Sequence, residues 1–152
     1  MIFRNATEKD VSKIVEMIAD DELGKKREDF KIPLPKKYID AFKNINKDKN
    51  QELIVVENID KEIVGTFQLT FIQYLTYQGG IRAQIEAVRI RKDQRGIGLG
   101  KKMFEWAIER AKEKKAHVLQ LTTDKKRSKA ITFYENLEFK SSHEGMKLHF
   151  EK

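Results

Sequence analysis

Gly96, Gly98 and Gly100 alternate with Ile97 and Leu99 inside the run from Arg91 to Lys101, with Arg95 before them and Lys101 after. Glycine tolerates positive φ and has no side chain to block a close phosphate. Gln84 to Ile90, leading in, alternates as a strand does. Leading out, Leu99, Met103, Ala107 and Ala111 recur every four residues, and Phe104, Trp106 and Ile108 widen an apolar helix face. Strand, glycine turn and helix start together present unpaired N–H groups and the positive end of a helix dipole to an anion. The ligand this implies is a phosphate, with a pyrophosphate the expected form. A P-loop is excluded, because Gly96 and Gly100 are one residue too close and Lys102 stands where the magnesium-binding hydroxyl belongs. The dinucleotide fingerprint Gly-x-Gly-x-x-Gly is absent too, since this chain has Gly-x-Gly-x-Gly.

Arg95, Gly98 and Gly100 instead fit Arg/Gln-x-x-Gly-x-Gly/Ala, which resembles the coenzyme A pyrophosphate loop of the GNAT superfamily of acyl-CoA-dependent N-acyltransferases. A second segment strengthens the resemblance. Ala130 to Phe139 (AITFYENLEF) is similar to the superfamily's C-terminal Ala-x-x-Phe/Leu-Tyr-x-x-Leu-Gly-Phe block, except that Glu138 replaces the glycine. A left-handed turn at that position would be strained. The match is close from about Ile81 onward and loose before it. It implies acetyl-CoA as co-substrate, held by Val88, Ile90, Arg95, Gly96, Ile97, Gly98, Leu99, Gly100 and Lys101. Arg127, and with it Lys129, joins this set as a cation close to the expected loop.

Two side chains carry the remaining chemistry. Gln84, Glu86, Val88 and Ile90 would share one face of the strand, so that Glu86 points to the side lined by Val88 and Ile90. A carboxylate there could take a proton from an ammonium substrate, directly or through water; the resemblance implies that role, and the alternative is a strand glutamate paired with a nearby cation. Tyr134 can give its phenolic proton to a departing thiolate. In the resemblance it sits beside the coenzyme sulfur. Adjacent helical residues point about 100° apart, so Phe133 can be core while Tyr134 faces a cleft; the competing reading makes both core aromatics.

The elements that must position these groups read as follows. Ile2 to Arg4 is a short strand; Thr7, with Asp10 three residues on, caps a helix with Val11, Ile14, Val15 and Ile18 on one face. Asp20-Asp21-Glu22 ends that helix, either as solvated acids or as a cleft edge that attracts a cationic amine. Tyr38, Ile39, Phe42 and Ile45 suggest a second helix after Pro33 and Pro35. Leu53 to Glu57, Ile63 to Leu75 and Ile81 to Arg91 form a meander, with a turn at Asn58 to Asp60 and a bulge at Gly65. His117 to Thr123 is a further strand. His143 to Met146 would turn between the last two strands, and Lys140 to Phe150 offers strand material for pairing with a second copy. Mixed strands flanked by helices give an α/β (α+β) fold: a single domain over 1–152 with a mixed central sheet.

Composition narrows the chemistry. The chain has no cysteine, which excludes disulfides, a thiol nucleophile and cysteine-based metal sites. His117, His143 and His149 lack the close spacing of a helical metal pair, and no metal is expected. No apolar run is long enough to span a membrane, and a cytoplasmic location is the expectation. The net charge of +7 is concentrated between Arg91 and Lys129, where 13 Lys/Arg stand against 5 Asp/Glu. Lys112, Lys114 and Lys115 read as a solvated helix face. The expected activity is transfer of acetyl from acetyl-CoA to a primary amine of a small molecule or peptide, by direct attack in a ternary complex, from a chain that pairs as a homodimer. A non-catalytic acyl-CoA sensor and a basic nucleic-acid-binding module are the alternatives. The second would give steep salt dependence but leaves the glycine turn and the Tyr134 block unexplained.

Overall fold

Alternation of apolar residues in successive segments builds an antiparallel meander, β1 (Ile2–Asn5), β2 (Gln51–Glu57), β3 (Ile63–Gln73) and β4 (Ile81–Ile90). A parallel strand, β5 (Val118–Gln120), closes a five-stranded mixed sheet in the order β1-β2-β3-β4-β5. The computed structural model describes residues 1–151. The backbone divides into two units, Met1–Gln120, which holds the whole sheet, and the stretch from Leu121 onward.

In the first unit helices cover both faces of the sheet. Val11, Ile14, Val15 and Met17 of α1 (Val11–Ala19) and Phe42 of α3 (Lys36–Lys47) pack on Val55 and Ile63. Arg4 locks the helix entry: its guanidinium donates to Asp10 at 2.7 Å and to Glu57 at 2.7 Å, while the Asp10 carboxylate accepts the Thr7 N–H at 2.7 Å. The expected cap at Thr7 is therefore present, although a short 3-10 turn, Glu8–Asp10, precedes α1. A short helix the sequence did not announce, α2 (Gly24–Arg27), follows.

On the opposite face lies α5 (Leu99–Glu113), after a turn α4 (Thr76–Gly79) between β3 and β4. Trp106 stacks on Phe3 and meets Phe67 edge-on, and Leu99, Met103, Phe104, Ala107 and Ala111 are buried, as their spacing predicts. Gly65 has a packing role: a Cβ there would stand 3.1 Å from the Met103 sulfur, so its absence lets α5 approach. The sheet irregularity anticipated at Gly65 lies beside it, where the register shifts between Val56 and Glu57. Arg110 ties α5 to the sheet through Glu52 at 2.9 Å.

The second unit contains α6 (Ser128–Asn136). Its final segment departs from expectation. Lys140 to Phe150 forms no strand, and Met146 and Phe150 are each 93% exposed. His143 to Met146 is accordingly not a turn between strands. Alternation supplies strand propensity, but a strand needs a ladder partner to satisfy its backbone.

Candidate active site

The glycine run folds as a left-handed entry into α5. The Arg91 N–H donates to the Val64 carbonyl at 2.9 Å and fixes the end of β4. A 3-10 turn, Lys92–Gln94, follows, and the Arg95 Nε donates back to the Ile90 carbonyl at 3.0 Å. Gly96 has φ +78° and Gly98, the residue before the helix, has φ +87°. A Cβ at either would meet no heavy atom within 4 Å, so backbone conformation rather than crowding demands glycine. That same open space lies before the first N–H groups of a fifteen-residue helix, which have no intrahelical acceptor. Arg95, Ile97 and Lys101 are exposed around it. Shape and polarity thus suit a phosphate group.

β4 reaches this loop through a break in the sheet. Its parallel ladder with β5 runs only from Arg82 opposite Val118 to Gln84 opposite Gln120. Beyond that point β4 continues for six residues, Ile85 to Ile90, with no β5 partner among the described residues. On its other side β4 carries a bulge. Glu86 lies opposite Gln68 and Arg89 opposite Thr66, so β4 spends one residue more than β3, and Ala87 takes φ +54°. Within this stretch the Val88 carbonyl accepts the Arg89 Nη1 at 2.8 Å and the Ile90 carbonyl the Arg95 Nε at 3.0 Å.

The bulge corrects the sequence expectation for this strand. Gln84, Glu86, Val88 and Ile90 do not continue on one face. Glu86 pairs with Gln68, whereas Ile90 pairs with Gly65, which has the opposite parity on β3; Val88 lies within the bulge. Strict alternation does not survive an inserted residue, because one extra residue reverses every side chain after it. Glu86 is exposed, and Val88 and Ile90 are half-buried.

The acidic cluster separates into three roles. The Asp21 carboxylate accepts the Gly24 N–H at 3.2 Å and pairs with Arg89 at 3.4 Å. Glu22 is exposed beside Lys25. Asp20 lines an open cavity of about 830 Å³ together with Lys13, Met17, Phe30, Arg91 and Arg95. Arg91 is held by Asp93 at 2.6 Å and by Glu62 at 3.2 Å, and these hydrogen bonds raise its pKa while lowering that of Asp93. Sequence reasoning passed over Arg89 and the particular part played by Asp21. The only available signal was a basic residue interrupting the apolar end of a central strand.

Tyr134, Arg127 and Lys129 belong to the second unit. Asp124 opens the turn before α6, its carboxylate accepting the Lys126 N–H at 2.9 Å and its carbonyl the Arg127 N–H at 2.9 Å. At the other end the Phe139 N–H donates to the Tyr134 carbonyl at 3.1 Å and the Glu138 N–H to the Glu135 carbonyl at 2.9 Å, the two bonds of a Schellman stop. The Tyr134 and Phe139 rings meet edge-on at 6.1 Å. Glu138 stands in this stop with φ +71°, the left-handed conformation expected where the family pattern has glycine. Tyr134 is half-buried and Phe133 is 37% exposed.

The GNAT acetyltransferase family model matches residues 16–139. A transcriptional regulator of Bacillus halodurans C-125 is 57% identical, with TM-score 0.94 over 98% of this chain and 99% of that one. A predicted acetyltransferase of Clostridium acetobutylicum solved with acetyl-CoA is 22% identical, with TM-score 0.75 over 97% and 95% of the two chains. Glucosamine-6-phosphate N-acetyltransferase of Arabidopsis thaliana is 19% identical, with TM-score 0.80 over 99% and 98%. These last two likenesses concern the fold. No curated protein matches the sequence significantly.

Proposed function

The chain belongs to the GNAT acetyltransferase family, and on that premise we propose that it is an N-acetyltransferase moving an acetyl group from acetyl-CoA to a primary amine of a small molecule or peptide. The observation that carries this reading is the junction of β4 and α5. A strand stripped of its β5 partner leads straight into a loop whose two left-handed glycines leave the helix N–H groups open. The whole chain, 1–152, is read as one acetyltransferase domain acting in the cytoplasm. Among the described residues no helix is long and apolar enough to cross a membrane.

Acetyl-CoA supplies an activated acetyl thioester. Arg95 to Lys101 hold its pyrophosphate, with Arg127 adding positive charge, and the β4 backbone at Val88 and Ile90 lies along the pantetheine arm. N–H groups of β4 stabilise negative charge on the thioester oxygen. Glu86 accepts a proton from the incoming ammonium, directly or through water. The amine nitrogen bonds to the acetyl carbon as the carbon–sulfur bond breaks, Tyr134 gives its phenolic proton to the sulfur, and the second amine proton, lost as the amide forms, restores the phenol through water. With no cysteine in the chain to carry the acetyl group, the transfer is direct, within a ternary complex.

A melting scan tests the carrying observation. Coenzyme A should raise the wild-type Tm by mass action and should leave Gly98→Val unmoved, because a β-branched residue resists φ +87° and its bulk blocks the phosphate. Equal shifts in the two proteins would dismiss the loop as the coenzyme site. The Bacillus halodurans relative is named a transcriptional regulator, and the second reading is a nucleic-acid-binding module that uses the basic segment from Arg91 to Lys129. In α5, however, Arg110 is paired with Glu52 and Lys112 with Glu109, which leaves less free charge than the sequence count suggests.

A further inference from the structure

Arg89 joins the β4 bulge to the segment between α1 and α2. Its Nη1 donates to the Val88 carbonyl at 2.8 Å, within the bulge, and its Nη2 reaches Asp21 at 3.4 Å. Both side chains are mostly sheltered, 15% and 16% exposed. Asp21 is itself fixed. It accepts the Gly24 N–H, and its own carbonyl accepts the Lys25 N–H at 2.8 Å. A Cβ at Gly24 would overlap the Ile18 carbonyl oxygen, so the chain between α1 and α2 is closely seated at that point. The other anchor is Thr66, the register partner of Arg89, whose hydroxyl donates to the Ile54 carbonyl at 2.8 Å in the buried sheet.

The bulge is costly to keep. Ala87 occupies the left-handed region without being glycine, and the Val88 carbonyl, half-buried beside an interrupted ladder, needs a donor. Arg89 supplies that donor from the next position in the chain. A guanidinium presents several N–H groups in one rigid plane, so holding one on Val88 directs another toward Asp21. Few other side chains could do both.

Resting on the acetyl-transfer reading above, we propose that Arg89 is a positioning residue for the reaction. It sets the Ala87–Val88 bulge so that the N–H groups of β4 aim at the thioester carbonyl, and its pairing with Asp21 makes that setting depend on the α1–α2 segment. A misplacement of reacting groups by about 1 Å can cost on the order of 10²-fold in rate, so a side chain that never touches substrate can carry an effect of that size.

The test compares wild type, Arg89→Met, Arg89→Lys and Asp21→Asn. The backbone amide resonances of Ala87 to Ile90 are followed with coenzyme A and then with acetyl-CoA, and kcat and the coenzyme Kd are measured on the same samples. In wild type the acetyl group should shift these amides beyond the effect of coenzyme A alone. Arg89→Met should lose the acetyl-dependent shift and about 10²-fold in kcat, with the coenzyme Kd nearly unchanged. Arg89→Lys, which keeps charge without the planar fork, should recover little. Asp21→Asn, which keeps the shape and removes the ionic partner, should move the same amides in the same direction by less. A purely structural pair would lower Tm and leave the acetyl-dependent shift and kcat intact, which overturns the proposal. Should Arg89→Met fail to fold, unchanged amides and kcat in Asp21→Asn overturn it equally. Turnover in wild type without any acetyl-dependent shift would overturn the role of Arg89 alone, whereas absence of turnover in wild type would overturn the acetyl-transfer reading and the role of Arg89 with it.

Discussion

Glu138→Gly should stabilise the protein. Glu138 is the left-handed residue of the stop that ends α6, with φ +71° and both reciprocal hydrogen bonds in place, and its side chain is exposed. The motif therefore needs the conformation and makes no use of the side chain. An L-residue in the left-handed region costs roughly 1–2 kcal/mol, whereas glycine returns about 0.4–1 kcal/mol of that through the greater freedom of its unfolded chain. The net gain is about 0.5–1 kcal/mol, which for a chain of this size corresponds to a Tm increase of about 1–4 °C. Calorimetry on wild type, Glu138→Gly and Glu138→Ala gives the comparison. Alanine keeps the strain, so it should melt close to wild type while glycine melts higher. If Glu138→Gly melted at or below wild type, the attribution of strain to this position would be refuted.

Tyr134→Phe should reduce kcat by about 10²–10⁴-fold and leave coenzyme affinity nearly unchanged, because only the hydroxyl is lost; near-normal turnover, with chemistry limiting the rate, would dismiss the acid role. Acid stability provides a second check. Burial pushes the Asp10 carboxyl up, but the hydrogen bonds from Arg4 and from the Thr7 backbone outweigh it and the net pKa is lowered. The stability this pair supplies is complete above the unfolded carboxyl value of about 3.9 and is lost as pH falls through the lower folded value. Urea midpoints should therefore drop below about pH 4 more steeply in wild type than in Asp10→Asn, and parallel curves would contradict the pairing. For assembly, we propose a homodimer paired through the segment from Lys140 to Phe150, where Met146, Leu148 and Phe150 stand exposed at alternate positions. Light scattering at micromolar concentration should give twice the chain mass, and a monomer mass with and without coenzyme would remove the proposal.

Legibility followed the range of the interactions. The apolar spacing of α5, the capping pair Thr7 and Asp10 and the positive φ at Gly96 and Gly98 are set by residues within a few positions of one another, and all were readable. So was the left-handed Glu138, because a family pattern marked the place. The bulge at Ala87 was not, since alanine gives no sign of a positive φ and the extra residue shows only when β4 is set against β3. The Arg89–Asp21 pair joins positions 68 apart, and no local pattern announces it. The segment from Lys140 to Phe150 fails for a related reason: alternation records a preference, while strand formation needs a partner that the sequence does not name.

Acetyl transfer itself is tested most directly by turnover. Purified wild-type protein is incubated with acetyl-CoA and a panel of polyamines, amino acids, aminoglycosides and short peptides, with free thiol and acetylated product followed together. Thiol release should depend on one class of amine, an N-acetyl product should form in equal amount, and initial rates at varied concentrations of both substrates should give intersecting lines. Binding of acetyl-CoA with no amine-dependent thiol release across the panel would contradict acetyl transfer and favour a coenzyme sensor.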